Sequence, residues 1–209
     1  MLLQQIVDPL TIFLKSNEIT DYCPNGLQIA NTGMIHKICT AVTASLDAIE
    51  ATAACGANLL LVHHGYFWKG EASPIVDMKY QRIAALIKHN IALLAYHLPL
   101  DIHPDLGNNA EIARLLGLKI TEWARPDGRI PLVALAEYAH PQHLDQVSAQ
   151  CETIFQRTPL VIAGGPHPIK RIAWCSGGAQ DYILDAKKMG SSAKSVGARR
   201  FSQFPELVI

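Results

Sequence analysis

Two apolar runs decide the fold: Leu59-Leu60-Leu61-Val62, followed by His63-His64-Gly65, and Ile91-Ala92-Leu93-Leu94-Ala95-Tyr96, followed by His97-Leu98-Pro99-Leu100-Asp101. A continuous apolar run of this length reads as a strand covered on both faces. Each run is preceded by a helical pattern. Leu46, Ile49 and Ala53 share one face before Gly56, a plausible stop. Tyr80, Ile83, Ala84 and Ile87 are expected to face inward on a helix over 80–89. Strands alternating with helices define a layered α/β protein.

The rhythm extends both ways. A strand is expected over 37–43. At the start, Leu3, Ile6, Leu10, Phe13 and Leu14 lie on one helical face. Pro9 there is either the first residue of a helix capped by Asp8 or a kink in a longer one. Tyr22-Cys23-Pro24-Asn25-Gly26 reads as a turn. Pro99, Pro104 and Gly107 mark a loop. Asn108 or Asn109 is expected to cap a helix carrying Ile112, Leu115 and Leu116. Arg125-Pro126-Asp127-Gly128 is the expected boundary, giving a first α/β domain over 1–124 and the start of a second over 125–190. In the second, 130–138, 160–163 and 172–175 read as strands. Residues 141–155 read as a helix, and so does a segment with Ile183, Leu184 and Ala186. After Gly190 neither period continues, and 191–209 reads as an aberrant tail.

Composition narrows the function. Of 209 residues, 49% are hydrophobic and 17% charged, the balance of a folded chain. Eighteen Lys+Arg offset eighteen Asp+Glu, so charge gives nucleic-acid or anionic-membrane binding no support. No apolar run approaches the roughly 20 residues of a membrane span, and the N-terminus lacks a signal peptide's basic region. The five cysteines are widely spaced with no Cys-x-x-Cys, which disfavours a disulfide scaffold or thiolate zinc site. The expected compartment is a reducing cytoplasm.

Ligands in open α/β sheets bind beyond the carboxyl ends of parallel strands. If the two apolar strands are neighbours, His63, His64, His97 and Asp101 converge there. Imidazoles plus a carboxylate suit zinc, iron or manganese. Consecutive side chains of an extended chain point to opposite faces, so His63 and His64 are awkward ligands for one ion. They fit two ions better, with Asp101 bridging, and with His97 carrying a proton for a hydroxide nucleophile. The plainer alternative is a structural histidine pair. Ser176-Gly177-Gly178 is either a phosphate-cradling loop or a tight turn, and Cys175 reads as a buried small hydrophobe. Tyr66, Phe67, Trp68 and Lys69 either line the cleft or pack as a flap.

These residues resemble a known family. Pro24-Asn25-Gly26-Leu27-Gln28, Leu60 through Gly65 with Lys69-Gly70, His97-Leu98-Pro99-Leu100-Asp101 with Gly107-Asn108-Asn109, and Arg171 through Gln180 are similar, in order, to motifs of the Nif-three-like family. Its members are also called GTP cyclohydrolase I type 2 homologues. The resemblance covers about 1–190 and implies two similar α/β domains with layered sheets and flanking helices. It implies a site for two divalent metal ions, a toroidal homohexamer, and a metal-dependent hydrolytic role on a nucleotide or other small heterocycle. By position it makes His63, His64 and Asp101 metal ligands and places His97 close to the metals. Nucleic-acid binding enters only by family association. The family also has a later His and Glu that complete the metal site. Here no His follows His167, so an incomplete second domain and weakened metal binding are expected.

Overall fold

The computed structural model describes residues 1–125, 130–178, 180–188, 190 and 193–194. Most of the Arg125–Gly128 turn and nearly all of the 191–209 tail lie outside the described residues. Two compact units divide the chain, Met1–Leu100 and Asp101–Ile209. The division precedes the Arg125–Gly128 turn because the strand Ile120–Ala124 pairs with the strand that follows it, not with the first sheet.

The first unit contains α1 (Gln4–Phe13), β1 (Gly26–Ile29), β2 (Ile38–Thr43), α2 (Leu46–Ala54), β3 (Leu59–His64), α3 (Asp77–Lys88) and β4 (Ala92–Ala95). The sheet order is β1-β4-β3-β2. β3 is parallel to both neighbours, and β1 closes the other side antiparallel to β4. Leu59, Leu60, Leu93 and Leu94 are fully buried. Covering such a side chain stabilises by about 1.5–3 kcal/mol, so this central pair anchors the unit. Ser45 caps α2 by accepting the Ala48 N–H at 3.1 Å. Beyond α2, Gly56 turns the chain with φ +72°. Pro9 lies inside α1, so the helix is the longer of the two alternatives and does not start at Pro9. On α3, Ile83, Ala85 and Leu86 are buried. Ile83 faces inward as expected, but Tyr80 and Ile87 are 59% and 65% exposed because the buried stripe is centred toward Leu86.

The chain then forms α4 (Leu98–Asp101), a short helix where a loop was expected, and α5 (Asn108–Leu115). Gly107, not an asparagine, occupies the N-cap of α5. The second unit's sheet has the order β5-β6-β7-β8, from Ile120–Ala124, Val133–Gln142, Ile169–Trp174 and Ala193–Lys194. β5, β6 and β7 are antiparallel, and the two-residue β8 joins β7 in parallel. β8 falls in the stretch where the pattern stops. α6 (Leu144–Phe155) packs Val147 and Cys151 into this core, and His143 caps it through a capping box with Gln146. α7 spans Ile183–Lys188. The strand expected at 160–163 is absent: only Leu160 makes a bridge, and Leu160 and Ile162 are 54% and 66% exposed. The result is a mixed α/β chain with two sheets and flanking helices. Among the described residues no helix is long and apolar enough to cross a membrane.

Candidate metal centre

Because β2, β3 and β4 run parallel, their carboxyl ends share one edge. In register, Val62 pairs with Ala95 and Thr43 with His64. His63, His64 and His97 therefore emerge together. The His63 and His64 ring centroids lie 4.4 Å apart, and His97 stands 5.0 Å from His63 and 5.8 Å from His64. One ligand atom from each falls within 4.8 Å of the others. Simple strand alternation would have separated His63 from His64. The pair sits at the end of β3, and the two rings come within 4.4 Å of each other despite that alternation.

Each ring is held from behind. His63 Nδ1 lies 3.0 Å from the Tyr96 carbonyl, which only accepts, so Nδ1–H donates. His64 Nδ1 meets Thr43 Oγ1 at 3.1 Å. His97 Nδ1 lies 2.8 Å from Asp21 Oδ1. An imidazole whose Nδ1 is engaged this way presents Nε2 as its other ring nitrogen, the usual arrangement behind metal-bound histidines.

Asp21 was not singled out by sequence reading. No local spacing reveals it, since it meets His97 across 76 residues of chain. Its side chain is 2% exposed. It accepts from His97 Nδ1, from the Leu98 N–H at 2.8 Å, from Asn25 Nδ2 at 2.9 Å and from the Tyr22 N–H at 2.6 Å. Four donors fill a carboxylate's acceptor sites. Asp21 and Cys23 also lie within ligand distance of His97, but a saturated Asp21 acts as the brace of His97 and not as a ligand. Burial alone would raise its pKa. The hydrogen bonds from His97 and Asn25, the His97 charge and the Leu98 N–H outweigh that and hold the carboxyl below its usual range.

A depressed folded pKa stabilises the protein above the unfolded value, and that stability is lost as pH falls through the folded value. Asp21→Asn is therefore expected to lower stability at neutral pH and to flatten its decline as the pH falls below the ordinary value of 3.8. Urea unfolding from pH 6 downward checks this; parallel pH profiles for both proteins would remove the assigned role. Divalent-metal affinity of the same variant is expected to fall about 10–100-fold.

The Pro24–Gln28 motif acquires a physical meaning here. Asn25 Oδ1 accepts the His97 N–H at 2.8 Å, fixing the backbone at the end of β4. Gln28 accepts the Tyr66 N–H at 2.7 Å and donates to the Tyr66 and Pro24 carbonyls at 3.1 and 2.8 Å. Gly65 leaves room for this clamp: a Cβ there would strike Gln28 Oε1 and come within 2.6 Å of Ala95 Cβ. Of the aromatic segment, Trp68 belongs to the site. Its ring is edge-on to His97 at 4.9 Å and lies 6.2 Å from His64, with Nε1 donating to the Gly65 carbonyl. Tyr66 packs inward, its hydroxyl donating to the Ala44 carbonyl at 2.6 Å, and burial pushes its pKa up to about 12.

Asp101 belongs to the second unit. It is 5% exposed, and its Oδ1 accepts from Asn108 Nδ2 at 2.7 Å and Ser176 Oγ at 2.8 Å. Ser176 N–H donates to Asn109 Oδ1 at 2.7 Å. Ser176 thus has its hydroxyl and amide both committed within the protein, and Gly177 turns the chain there with φ +80°. Cys175 is buried, and burial and the Asp101 charge push its thiol up to about 12.

A parallel βαβ core with three braced imidazoles at its carboxyl edge defines a class: an α/β protein with a histidine-rich cluster suited to a divalent metal. The sequence profile of the Duf34/NIF3 (NGG1p interacting factor 3) family matches residues 1–193, and the chain belongs to that family. It is 41% identical over 195 residues to the Pseudomonas aeruginosa "GTP cyclohydrolase 1 type 2 homolog", covering 93% of this chain and 77% of that protein. The Neisseria meningitidis serogroup B protein of the same name is 46% identical over 173 residues, covering 83% and 68%. A solved structure titled "protein ybgI, unknown function" superposes with a TM-score of 0.87 at 38% identity, covering 93% of this chain and 78% of that one.

Proposed function

We propose that this chain is a divalent-metal-dependent hydrolase acting on a nucleotide or another small heterocycle. The observation that carries the reading is the convergence of His63, His64 and His97, each with Nδ1 held by a partner behind it. The name shared by its relatives, "GTP cyclohydrolase 1 type 2 homolog", supplies the substrate class. The donor set fits a borderline cation: imidazole suits zinc and iron, and no thiolate belongs to the histidine trio. A bound divalent ion supplies Lewis-acid chemistry at this edge.

His63 and His64 are the proposed ligands. His97 is proposed to join them, and Asp21 holds its ring in place. A proton-carrying role, read from the sequence, would use the same ring. Trp68 walls one side of the cluster. Asp101 is proposed as a carboxylate donor for a second ion, on the strength of the family resemblance. Assembly into a homohexamer is proposed on the same ground.

Turnover of GTP and related purine nucleotides, followed by product analysis with and without added Zn²⁺, Mn²⁺ or Fe²⁺, tests the reading. Metal-dependent product formation, lost in His63→Ala and Asp101→Ala, is the expected result. Stoichiometric metal binding with no turnover of any nucleotide or heterocycle tried would reject the hydrolase and leave a metal-binding interaction protein.

A further inference from the structure

We propose that Cys39 and Cys55 are a reversible oxidation site, at which a low-molecular-weight disulfide converts the two thiols into an intramolecular disulfide. The sulfur atoms lie 3.2 Å apart. Cys39 sits on β2, the edge strand of its sheet, half-buried and paired in register with Leu60. Cys55 is the exposed C-cap residue of α2. The pair is thus a contact between two elements, reachable from solvent on the Cys55 side. The two are 16 positions apart in the chain, so no Cys-x-x-Cys spacing announces them.

The surroundings distinguish the two thiols. The Cys39 hydrogen bond, an N–H from Ala57 and the nearby Lys37 ammonium lower the Cys55 pKa, while the contact with Cys55 raises that of Cys39. Lys37 Nζ is fixed there, donating to the Cys55 carbonyl at 2.7 Å. Cys55 is the solvent-exposed thiol and has the Lys37 ammonium beside it, so it is the entry point for the attacking thiolate and Cys39 the resolving residue. The Cys55 thiolate attacks one sulfur of glutathione disulfide, forming a mixed disulfide and releasing one glutathione thiolate. Cys39 then loses its proton to water, attacks the Cys55 sulfur and expels the second glutathione thiolate. Two protein thiols are oxidised and one small disulfide is reduced to two thiols. The new bond ties the end of α2 to the outer edge of the sheet. Cys23, Cys151 and Cys175 are buried and do not compete.

The full chain is incubated with glutathione disulfide and mapped by peptide mass spectrometry. A Cys39–Cys55 cross-link that dithiothreitol reverses is expected, together with a melting temperature several degrees above that of the reduced protein. Cys39→Ser is expected to accumulate a stable glutathione adduct on Cys55, whereas Cys55→Ser leaves Cys39 largely unmodified. No cross-link in the wild-type protein while Cys55 alkylates readily would overturn the proposal. So would an adduct forming on Cys39 of Cys55→Ser as fast as on Cys55 of Cys39→Ser.

Discussion

Trp174→Ala is expected to destabilise the second unit by about 3–5 kcal/mol, the range for emptying a fully buried indole. Trp174 is 0% exposed, at the end of β7, in the cluster with Ala113, Leu116, Ala134, Ala136 and Val147. Its Nε1 donates to the Asn109 carbonyl at 3.0 Å, so truncation also strips a buried acceptor of its partner. Asn109 is itself fully buried, with Oδ1 taking the Ser176 N–H and Nδ2 near the Leu132 carbonyl. Indole and amide together pin α5 to β7 and to the turn after it. Against a total stability of roughly 5–15 kcal/mol, a loss of this size leaves the unit marginal. Urea denaturation should show a clear fall in midpoint. An unfolding free energy within about 0.5 kcal/mol of wild type, the range of a surface substitution, would mean that Trp174 is not the centre of this core.

His64→Ala is expected to weaken divalent-metal binding more than about 100-fold, because even the outer partners of metal-bound histidines are worth 10–100-fold. Its ring is one of only three in the trio, so its removal leaves two donors from adjoining strand ends. His36→Ala is the control: that ring is exposed and meets the Gly56 carbonyl at 3.0 Å. Isothermal titration with Zn²⁺ separates the cases. Equal loss in both variants would point to adventitious surface binding.

Much of this was legible in the sequence, and the parts that were not have physical reasons. The runs at 59–62 and 91–96 announced buried parallel strands because both faces of each are covered. Their ends located the cluster because parallel neighbours finish at one edge. The closeness of His63 and His64 was not legible, since alternation governs a strand's middle and not its last residue. Asp21 stayed hidden because its partner is remote in the chain and its own turn shows no period. Asn109 looked like a helix cap, yet its side chain is core, a role polar residue types do not advertise. Leu160–Ala163 looked like a strand on composition alone but remains largely exposed without a ladder. Tyr80 and Ile87 share a helical face in the sequence, but the sheet meets α3 along a different stripe.

His63, His64 and His97 are proposed to hold one divalent cation together. X-ray absorption of the full chain loaded with a single equivalent of zinc decides this. The expected first shell is nitrogen or oxygen at about 2.0–2.1 Å, with the multiple-scattering signature of three imidazoles that falls to two in His64→Ala. A shell containing sulfur at about 2.3 Å, or an imidazole count unchanged in that variant, would contradict it.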